Sequence, residues 1–520
     1  MRKSLVLGFT IALAFFLRIW QIDKFPAGFT ADEAAQGYTA YSILQTGKDE
    51  WGAKLPLAPR SFGDFKPPLY TYLTIPSVAI FGLTEFAVRF PSAVFGTLAV
   101  FLVYLLAREL FPKEKFSIFN FQFSIGEIAA LMLAISPWHI SLSRGAFEAN
   151  LTTFFLPLGF YLFLKGLKNG KFLILSALVL GLNLFTYHSA RLLTPVFLGF
   201  LIWWKRKDLF SGAAALVFVL FLGIAAIGVF GGSGTRVFDI GIFSAGLEAP
   251  RLFIGSFLSY FSPEFFFTHG AGEATYGMIP GRGVLYLIEL PFLIFALLSL
   301  AKKWNNKFFP ILVWIVLAPV PAALAQGVGY HANRVAIMMP AIQILSAYGL
   351  IVFSNSISKW KKIIYLVVGL VIFISFSFFL WDYFYRASRI SAPAMSYGWK
   401  EAMNYVSGIE NGYQKVVISR RFSEPQAFVA FYKKWNPEDF QKESTKWLRY
   451  QEEGFKFVDQ LGKYNLGKYE FRQINWLEDK NLKDTLFVGK ETDFPQNESL
   501  RKRIIPYPDG ERALLIVERL

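Results

Sequence analysis

Two charged motifs near the start of the chain carry side chains that could do chemistry. The first is the acid pair Asp32-Glu33, and the second is Lys66, which stands directly before Pro67-Pro68. A carboxylate can accept a proton from a hydroxyl group, and a lysine ammonium attracts phosphate and other anions. Together the two motifs predict a proton acceptor and an anion site in one loop.

The acid pair also fits a structural role. Thr30 and Glu33 have the spacing of a capping box, which predicts a helix that begins after Thr30 and ends at Gly47. Capping uses Glu33 and leaves Asp32 without a local task. The apolar positions of this helix, Tyr38 among them, predict contact with the membrane surface.

Lys66 requires an anionic neighbour. Pro67-Pro68 is typical of a helix start, where the helix dipole disfavours a cation. Asp64 and a bound lipid phosphate are the two candidate partners.

Composition and charge place these motifs in a membrane protein. Of 520 residues, 54% are hydrophobic and only 17% are charged, against about 25% charged in soluble proteins. The net charge of +16 comes largely from short loops between apolar segments, which argues against nucleic-acid binding. Cysteine is absent, which excludes disulfides and thiolate metal sites.

The apolar segments predict about eleven transmembrane helices. They cover residues 5–20, 91–110, 126–140, 151–164, 172–187, 192–204, 212–230, 284–300, 308–325, 335–353 and 363–381. Lysine-rich loops alternate along this series, and the positive-inside rule places them in the cytoplasm with the amino terminus. The long first loop, 21–90, the large loop 231–282 and the carboxyl-terminal segment are then extracytoplasmic.

Histidine and arginine are concentrated on the predicted outer side. These residues are His139, His188, His269, His331, Arg144, Arg191, Arg236, Arg282 and Arg334. Topology alone does not place arginines outside, and a planar guanidinium suits a phosphate group.

The polar segment from residue 382 predicts a small soluble domain. Its expected strands are residues 415–419, 485–489 and 513–518. Residues 424–434 have helical spacing. The predicted architecture is therefore a mainly α membrane domain, 1–381, followed by an extracytoplasmic α/β domain, 382–520.

Four motifs, taken as a set, resemble the glycosyltransferase family 39 group. They are Asp32-Glu33, Lys66-Pro-Pro-Leu-Tyr70, Arg89-Phe-Pro-Ser-Ala-Val-Phe-Gly96 and Ser136-Pro-Trp-His-Ile-Ser-Leu-Ser-Arg144. This group includes the protein O-mannosyltransferases and is related to the lipid A aminoarabinose transferase. All of these enzymes have the GT-C membrane fold, so the resemblance implies that fold here.

The resemblance also implies transfer of a sugar from a polyprenyl-phosphate donor to an acceptor hydroxyl on the outer membrane face, with inversion. In such enzymes the first acid of the pair is the general base, which corresponds to Asp32, with Glu33 beside it. The leaving phosphate is stabilised by cations rather than by a general acid. The candidates for holding it are Lys66, Arg144, Arg334 and His331.

The chain departs from the related enzymes in two respects. In the aminoarabinose enzyme a glutamate linked to a metal site precedes the equivalent lysine, whereas Phe65 stands here. No cofactor is therefore expected to be required, and only Asp64 and His269 are weak candidates for a divalent metal. The extra loop domain of eukaryotic O-mannosyltransferases is absent, so among glycan, lipid and protein acceptors a protein has no specific support.

Two other functions stay open. A ligase that moves a whole glycan from a lipid carrier would share this architecture. A lipid or solute transporter is disfavoured, because transporters bind their substrates near mid-membrane and the candidate charges lie at span ends. The expected partners are the lipid-linked sugar donor, the acceptor and membrane lipids, and the expected location is the plasma membrane.

Overall fold

The computed structural model describes residues 2–61, 65–118, 121–205, 211–230, 241–272, 274–326, 330–357, 360–495 and 501–519. It contains two compact units, and each is discontinuous in sequence. Unit 1 comprises Met1–Ile22 and Ser92–Phe384, and unit 2 comprises Asp23–Pro91 and Tyr385–Leu520. The predicted first outer loop thus shares a compact unit with the carboxyl-terminal segment.

The helices of the first half are α1 (Arg2–Ile19), α2 (Ala31–Thr46), α3 (Pro68–Phe81), α4 (Glu85–Leu110), α5 (Ile125–Ile135), α6 (Pro137–Ser143), α7 (Thr152–Gly166), α8 (Lys171–Asn183), α9 (His188–Trp204) and α10 (Gly212–Gly228). Those of the second half are α11 (Ala249–Ser259), α12 (Glu289–Lys302), α13 (Phe309–Leu317), α14 (Val320–Ala323), α15 (Ala341–Ser356), α16 (Lys361–Trp381), α17 (Ser388–Ile390), α18 (Trp399–Ile409), α19 (Pro425–Tyr432), α20 (Pro437–Trp447), α21 (Arg449–Glu452) and α22 (Trp476–Asp479). The strands are β1 (Lys115–Ile118), β2 (Phe121–Ser124), β3 (Lys415–Ser419), β4 (Lys463–Leu466), β5 (Tyr469–Arg472), β6 (Thr485–Gly489), β7 (Lys502–Pro506) and β8 (Arg512–Arg519).

Most of the apolar helices lie in unit 1. Within the described ranges, two helices are long and apolar enough to cross a membrane. They are α4 (Glu85–Leu110) and the continuous helix Lys361–Ile390, which comprises α16, a π-helical turn and α17. A third span results if α5 and α6, which meet at a 59° bend, are counted as one. Further apolar helices have 10–17 residues, and the total of about eleven spans stays a prediction.

Unit 2 contains a six-stranded mixed sheet in the order β4-β5-β3-β6-β8-β7. The central strand β3 runs parallel to both β5 and β6, with Val416 opposite Tyr469 and Lys415 opposite Thr485. One face of the sheet is covered by Trp476 from α22. The three strands and the helix predicted for this segment are all present. That the segment forms a separate extracytoplasmic domain stays a prediction.

The predicted helix after Thr30 is confirmed as α2. Thr30 is its N-cap, and Gly47, with a φ of 69°, ends it. The prediction that its Tyr38 face lies on the membrane is wrong. Tyr38 is buried; its hydroxyl donates to the Trp435 carbonyl at 3.0 Å, and its ring packs against Phe440. Aromatic residues from the carboxyl-terminal segment cover this face, and local spacing contains no sign of them.

Buried Glu50 joins α2 to α20, through its side chain on one side and its backbone on the other. The Glu50 side chain accepts a hydrogen bond through Oε2 from the Thr39 hydroxyl at 3.1 Å. The backbone carbonyl of Glu50 accepts one from the Ser444 hydroxyl at 2.8 Å. Burial, reinforced by neighbouring Asp49, raises the pKa of Glu50 to about 8. Folding therefore favours the protonated form of this carboxyl group.

Glu50→Gln should make the protein less sensitive to alkaline pH. Because the folded carboxyl binds its proton more tightly than the unfolded one, its contribution to stability is full below pH 4.5. That contribution declines by about 1.4 kcal/mol per pH unit until about pH 8. We expect the variant to have a higher Tm than wild type at pH 8 and a flatter Tm–pH curve, whereas Glu443→Gln, on α20, changes neither. Parallel curves for wild type and Glu50→Gln would contradict this assignment.

Candidate active site

The second acid of the pair is held on two sides. Glu33 Oε2 accepts from the Thr30 backbone N–H at 3.0 Å, which completes the predicted capping box. Glu33 Oε1 lies 2.8 Å from Arg89 Nε, and both side chains are fully buried. A carboxylate with both oxygens engaged in this way is suited to a structural role.

Arg89 also fixes the backbone that leads into α2. Its guanidinium donates to the carbonyls of Gly28 at 2.6 Å and Pro26 at 3.3 Å, and lies over the Phe29 ring. Gly28 has a φ of 101°, and a Cβ there would come within 2.3 Å of the Met395 carbonyl oxygen. The acid pair is therefore presented by a tightly constrained turn.

The first acid pairs with the predicted lysine. Lys66 Nζ lies 2.8 Å from Asp32 Oδ1, and the side chains are 8% and 30% exposed, respectively. Helix α3 begins at Pro68 with Pro67 as N-cap, so Lys66 occupies the predicted position before a helix start. Asp32 is thus an anionic partner of Lys66. The other candidate, Asp64, lies outside the described residues.

Arg60, six residues before Lys66 in the chain, is an arginine that the sequence did not single out. The Arg60 guanidinium sits over the rings of Trp51, at 5.5 Å, and Phe65, at 5.1 Å. Arg60 and Phe65 pair as an antiparallel bridge, and the Lys66 N–H donates to the Pro59 carbonyl. These backbone contacts fix the chain at Lys66. No sequence motif predicted them.

Unit 1 holds Arg144 in a fully buried position. Its guanidinium donates to the carbonyls of Leu17 at 2.6 Å and Trp20 at 2.8 Å, and lies over the rings of Tyr383 and Phe384. These bonds satisfy carbonyls at the end of α1 that lack a partner within the helix. Its assignment to the donor phosphate stays a prediction.

The other predicted residues of unit 1 lie in two loops. Arg334 is half-buried and donates to the Gln326 carbonyl at 3.2 Å. The His331 N–H donates to the Tyr260 hydroxyl at 3.3 Å. His269 is exposed and lies next to the Thr268 hydroxyl. Within the described ranges, no three His, Asp or Glu residues are grouped as a metal site.

Unit 1 also contains a cavity with a buried ion pair at its wall. Arg282 pairs with Asp382. The cavity is lined by Pro137, Trp138, Ser141, Ala271, Met278, Ile279, Arg282, Gly283, Val284 and Phe379.

Over part of its length the sequence is similar to one family model and to one relative. A family model described as dolichyl-phosphate-mannose-protein mannosyltransferase matches residues 65–229. YkcB of Bacillus subtilis (strain 168), named as a mannosyltransferase, is 30% identical over 138 residues, which are 26% of this chain and 18% of that protein. The match thus spans less than a fifth of that relative.

The fold is similar to those of two solved enzymes. ArnT from Cupriavidus metallidurans in the apo state has a TM-score of 0.55 at 11% identity, covering 99% of this chain and 97% of ArnT. The Archaeoglobus fulgidus oligosaccharyltransferase has a TM-score of 0.51 at 15% identity, covering 82% of this chain and 63% of that one. At these identities the likeness concerns the fold. The family segment, the relative and the shared fold together confirm the predicted resemblance to the GT-C glycosyltransferases.

Proposed function

We propose that the protein transfers a sugar from a polyprenyl-phosphate donor to an acceptor hydroxyl, with inversion at the anomeric carbon. The observation that carries this proposal is the ion pair between Asp32 and Lys66. It brings together a carboxylate from the first turn of α2 and a cation that lies just before α3. A further structure of ArnT is bound to undecaprenyl phosphate and has a TM-score of 0.54 to this chain, which supports a lipid-linked donor.

The chemistry divides between the two side chains. Asp32 takes the proton of the acceptor hydroxyl as its oxygen attacks the anomeric carbon. The bond between that carbon and the phosphate oxygen breaks, and its electron pair leaves with the phosphate. Lys66 stabilises the phosphate electrostatically. Glu33 keeps the turn in place through its contacts with Thr30 and Arg89.

The ion pair also couples donor binding to base activation. While Lys66 is 2.8 Å from Asp32, the ammonium occupies a carboxylate oxygen that the acceptor hydroxyl would need. A donor phosphate competes for the same ammonium and so releases Asp32. The base therefore becomes effective once the donor has bound.

Activity and orientation are tested together in sealed membranes of a bacterial host that expresses the chain. We propose that the amino terminus is cytoplasmic and that the first loop and the carboxyl-terminal domain are outside. A water-soluble, short-chain polyprenyl-phosphate sugar should then yield product with spheroplasts, which expose the outer face, but not with sealed inverted vesicles.

The product and the donor length identify the reaction. Inversion predicts that NMR of the glycoside finds the anomeric configuration opposite to that of the donor. Single-sugar and oligosaccharide donors, supplied in parallel, distinguish a monosaccharide transferase from a glycan ligase. Movement of the donor across the membrane without any product would favour a transporter and contradict the proposal.

A further inference from the structure

Helix α3, in unit 2, turns its polar side chains inward. Thr71, Thr74 and Ser77 are all buried. The Thr74 hydroxyl donates to the Tyr70 carbonyl at 2.9 Å. The Ser77 hydroxyl donates to the Ala87 carbonyl of α4 at 2.6 Å. A helix at the surface of a soluble protein has the opposite arrangement, with its apolar residues against the core and its polar residues outward.

The outward face of α3 is apolar. It carries a stripe along the helix, formed by Leu69, Leu73, Pro76 and Ile80. The two leucines are half-buried and the proline is exposed, while Ile80 is 73% exposed. No charged residue occurs between Pro68 and Phe81. Exposure of this face to water would be unfavourable, so its arrangement favours an apolar environment.

A cluster of three phenylalanines joins this face to α4. Phe81 is 41% exposed and packs against Phe86 and Phe90, with ring centroids 5.1 and 5.2 Å away. Both partners lie in the first two turns of α4, which is long and apolar enough to cross a membrane. The apolar face of α3 is therefore continuous with one end of a candidate membrane span.

A second segment of unit 2 enlarges the apolar surface. The Tyr72 hydroxyl donates to the Pro56 carbonyl at 3.0 Å, which holds residues 55–57 beside α3. Leu55 and Leu57 are 56% and 39% exposed. Single exposed leucines are common, whereas a contiguous apolar surface marks a contact with a partner or a membrane.

The length of α3 decides how it would meet a membrane. Its 14 residues rise about 1.5 Å each, which gives about 21 Å, and the apolar layer of a bilayer is about 30 Å thick. A helix of this length does not cross, but it can lie in the surface of the bilayer with its apolar face toward the acyl chains. Continuity with α4 favours lipid over a protein partner as the occupant of this face.

We propose that α3 and residues 55–57 lie in the surface of the lipid bilayer, with the outward stripe of α3 against the acyl chains. This is the membrane contact that the sequence predicted for α2. The proposal goes beyond the proposed function and stands without it. One consequence does rest on that function: Lys66 comes two residues before α3, so its pair with Asp32 is held at the surface from which a lipid phosphate arrives.

Contact with lipid is measured without any transfer assay. The chain contains no cysteine, so a single introduced cysteine can carry a nitroxide label. The purified full chain is reconstituted in vesicles of phosphatidylcholine and phosphatidylglycerol, and EPR compares collisions of the label with oxygen, which enriches in lipid, and with a water-soluble nickel chelate. The ratio of oxygen to nickel collisions should be severalfold higher for Ile80→Cys than for Leu477→Cys.

Leu477→Cys is the matched control for the label. Leu477 is 77% exposed, so it is as accessible as Ile80, and it also lies on a helix of unit 2, α22. Its neighbours on that helix include Glu478 and Asp479, which favour water. Because both positions are exposed, labelling is expected to leave the fold intact at either one.

A kinetic comparison tests the consequence for the donor. Ile80→Asn makes the outward face of α3 more polar and leaves its buried face unchanged. With reconstituted protein, the KM for a long-chain polyprenyl-phosphate sugar in the vesicles should rise severalfold. The KM for a short-chain, water-soluble donor should stay at the wild-type value, and Leu477→Asn should change neither.

The outcomes separate this proposal from the proposed function. Equal nickel access at Ile80→Cys and Leu477→Cys overturns it, because the face would then lie in water. Protection of Ile80→Cys from both reagents also overturns it and assigns the face to a protein contact, such as a second copy of the chain. Equal KM changes for both donors contradict the link to the donor site. If no donor supports transfer while the Ile80→Cys label still reports lipid, the proposed function fails and the membrane contact stands.

Discussion

Asp32→Asn is expected to reduce kcat for sugar transfer by about 10²–10⁴-fold, the usual contribution of a positioned general base. The amide keeps the shape of the side chain but cannot accept the acceptor's proton. Tm should fall less than on loss of the Glu33–Arg89 pair, because Asp32 is 30% exposed and water screens its charge. Steady-state transfer assays and thermal melting in detergent provide both values.

The matched control for this substitution is Asp439→Asn. It also removes an Asp–Lys pair of unit 2, with Lys442 at 3.1 Å, but one in which both side chains are largely exposed. We expect wild-type kcat from this control. Lys66→Gln, by contrast, should raise the donor KM more than it changes acceptor KM. A fully active Asp32→Asn enzyme would rule out Asp32 as the base.

Removing either partner of the Glu33–Arg89 pair should have the largest effect on stability. Both side chains are fully buried at 2.8 Å, and breaking a buried ion pair typically costs about 3–5 kcal/mol, because the remaining charge has lost its partner. Glu33→Gln and Arg89→Met should therefore each lower Tm markedly. Glu33→Gln is the milder of the two, since a glutamine can still complete the capping box.

The control variant for the Glu33–Arg89 pair is Glu491→Gln. Glu491 pairs with Arg512 at the surface of unit 2, where both side chains are well exposed. Exposed pairs contribute about 0–1 kcal/mol, so Tm should hardly change. Equal Tm shifts in Glu491→Gln and Arg89→Met would mean that the buried pair stabilises the protein no more than an exposed pair does.

The parts of the site that depend on residues close together in the sequence could be predicted from it. The capping box of Thr30 and Glu33, the end of α2 at Gly47 and the start of α3 at Pro68 follow from interactions over a few residues. Each is present in the structure. The polar carboxyl-terminal segment with its strands was equally readable, because alternating and β-branched residues report local conformation.

The pairings between distant residues could not be predicted in the same way. Spacing singled out Asp64 or a lipid phosphate as the partner of Lys66, and the structure places Asp32 there. Arg89 was recognised within a motif, but nothing in that motif indicated a bond to Glu33. The surface of α2 was misjudged because its covering residues come from the far end of the chain.

The long separation in sequence between α2 and the residues that cover it has a consequence for folding during synthesis. Tyr38 hydrogen-bonds to the carbonyl of Trp435, and Ser444 donates to the carbonyl of Glu50. At a synthesis rate of about 5–20 residues per second, the helix that bears Asp32 waits roughly 20–80 s for these contacts. Helix α2 therefore emerges with an apolar face uncovered, and its final packing is among the last events of biogenesis. A chain that stops before residue 425 would leave that face without α19 and α20, so truncation removes the support of the acid pair while its residues are still present.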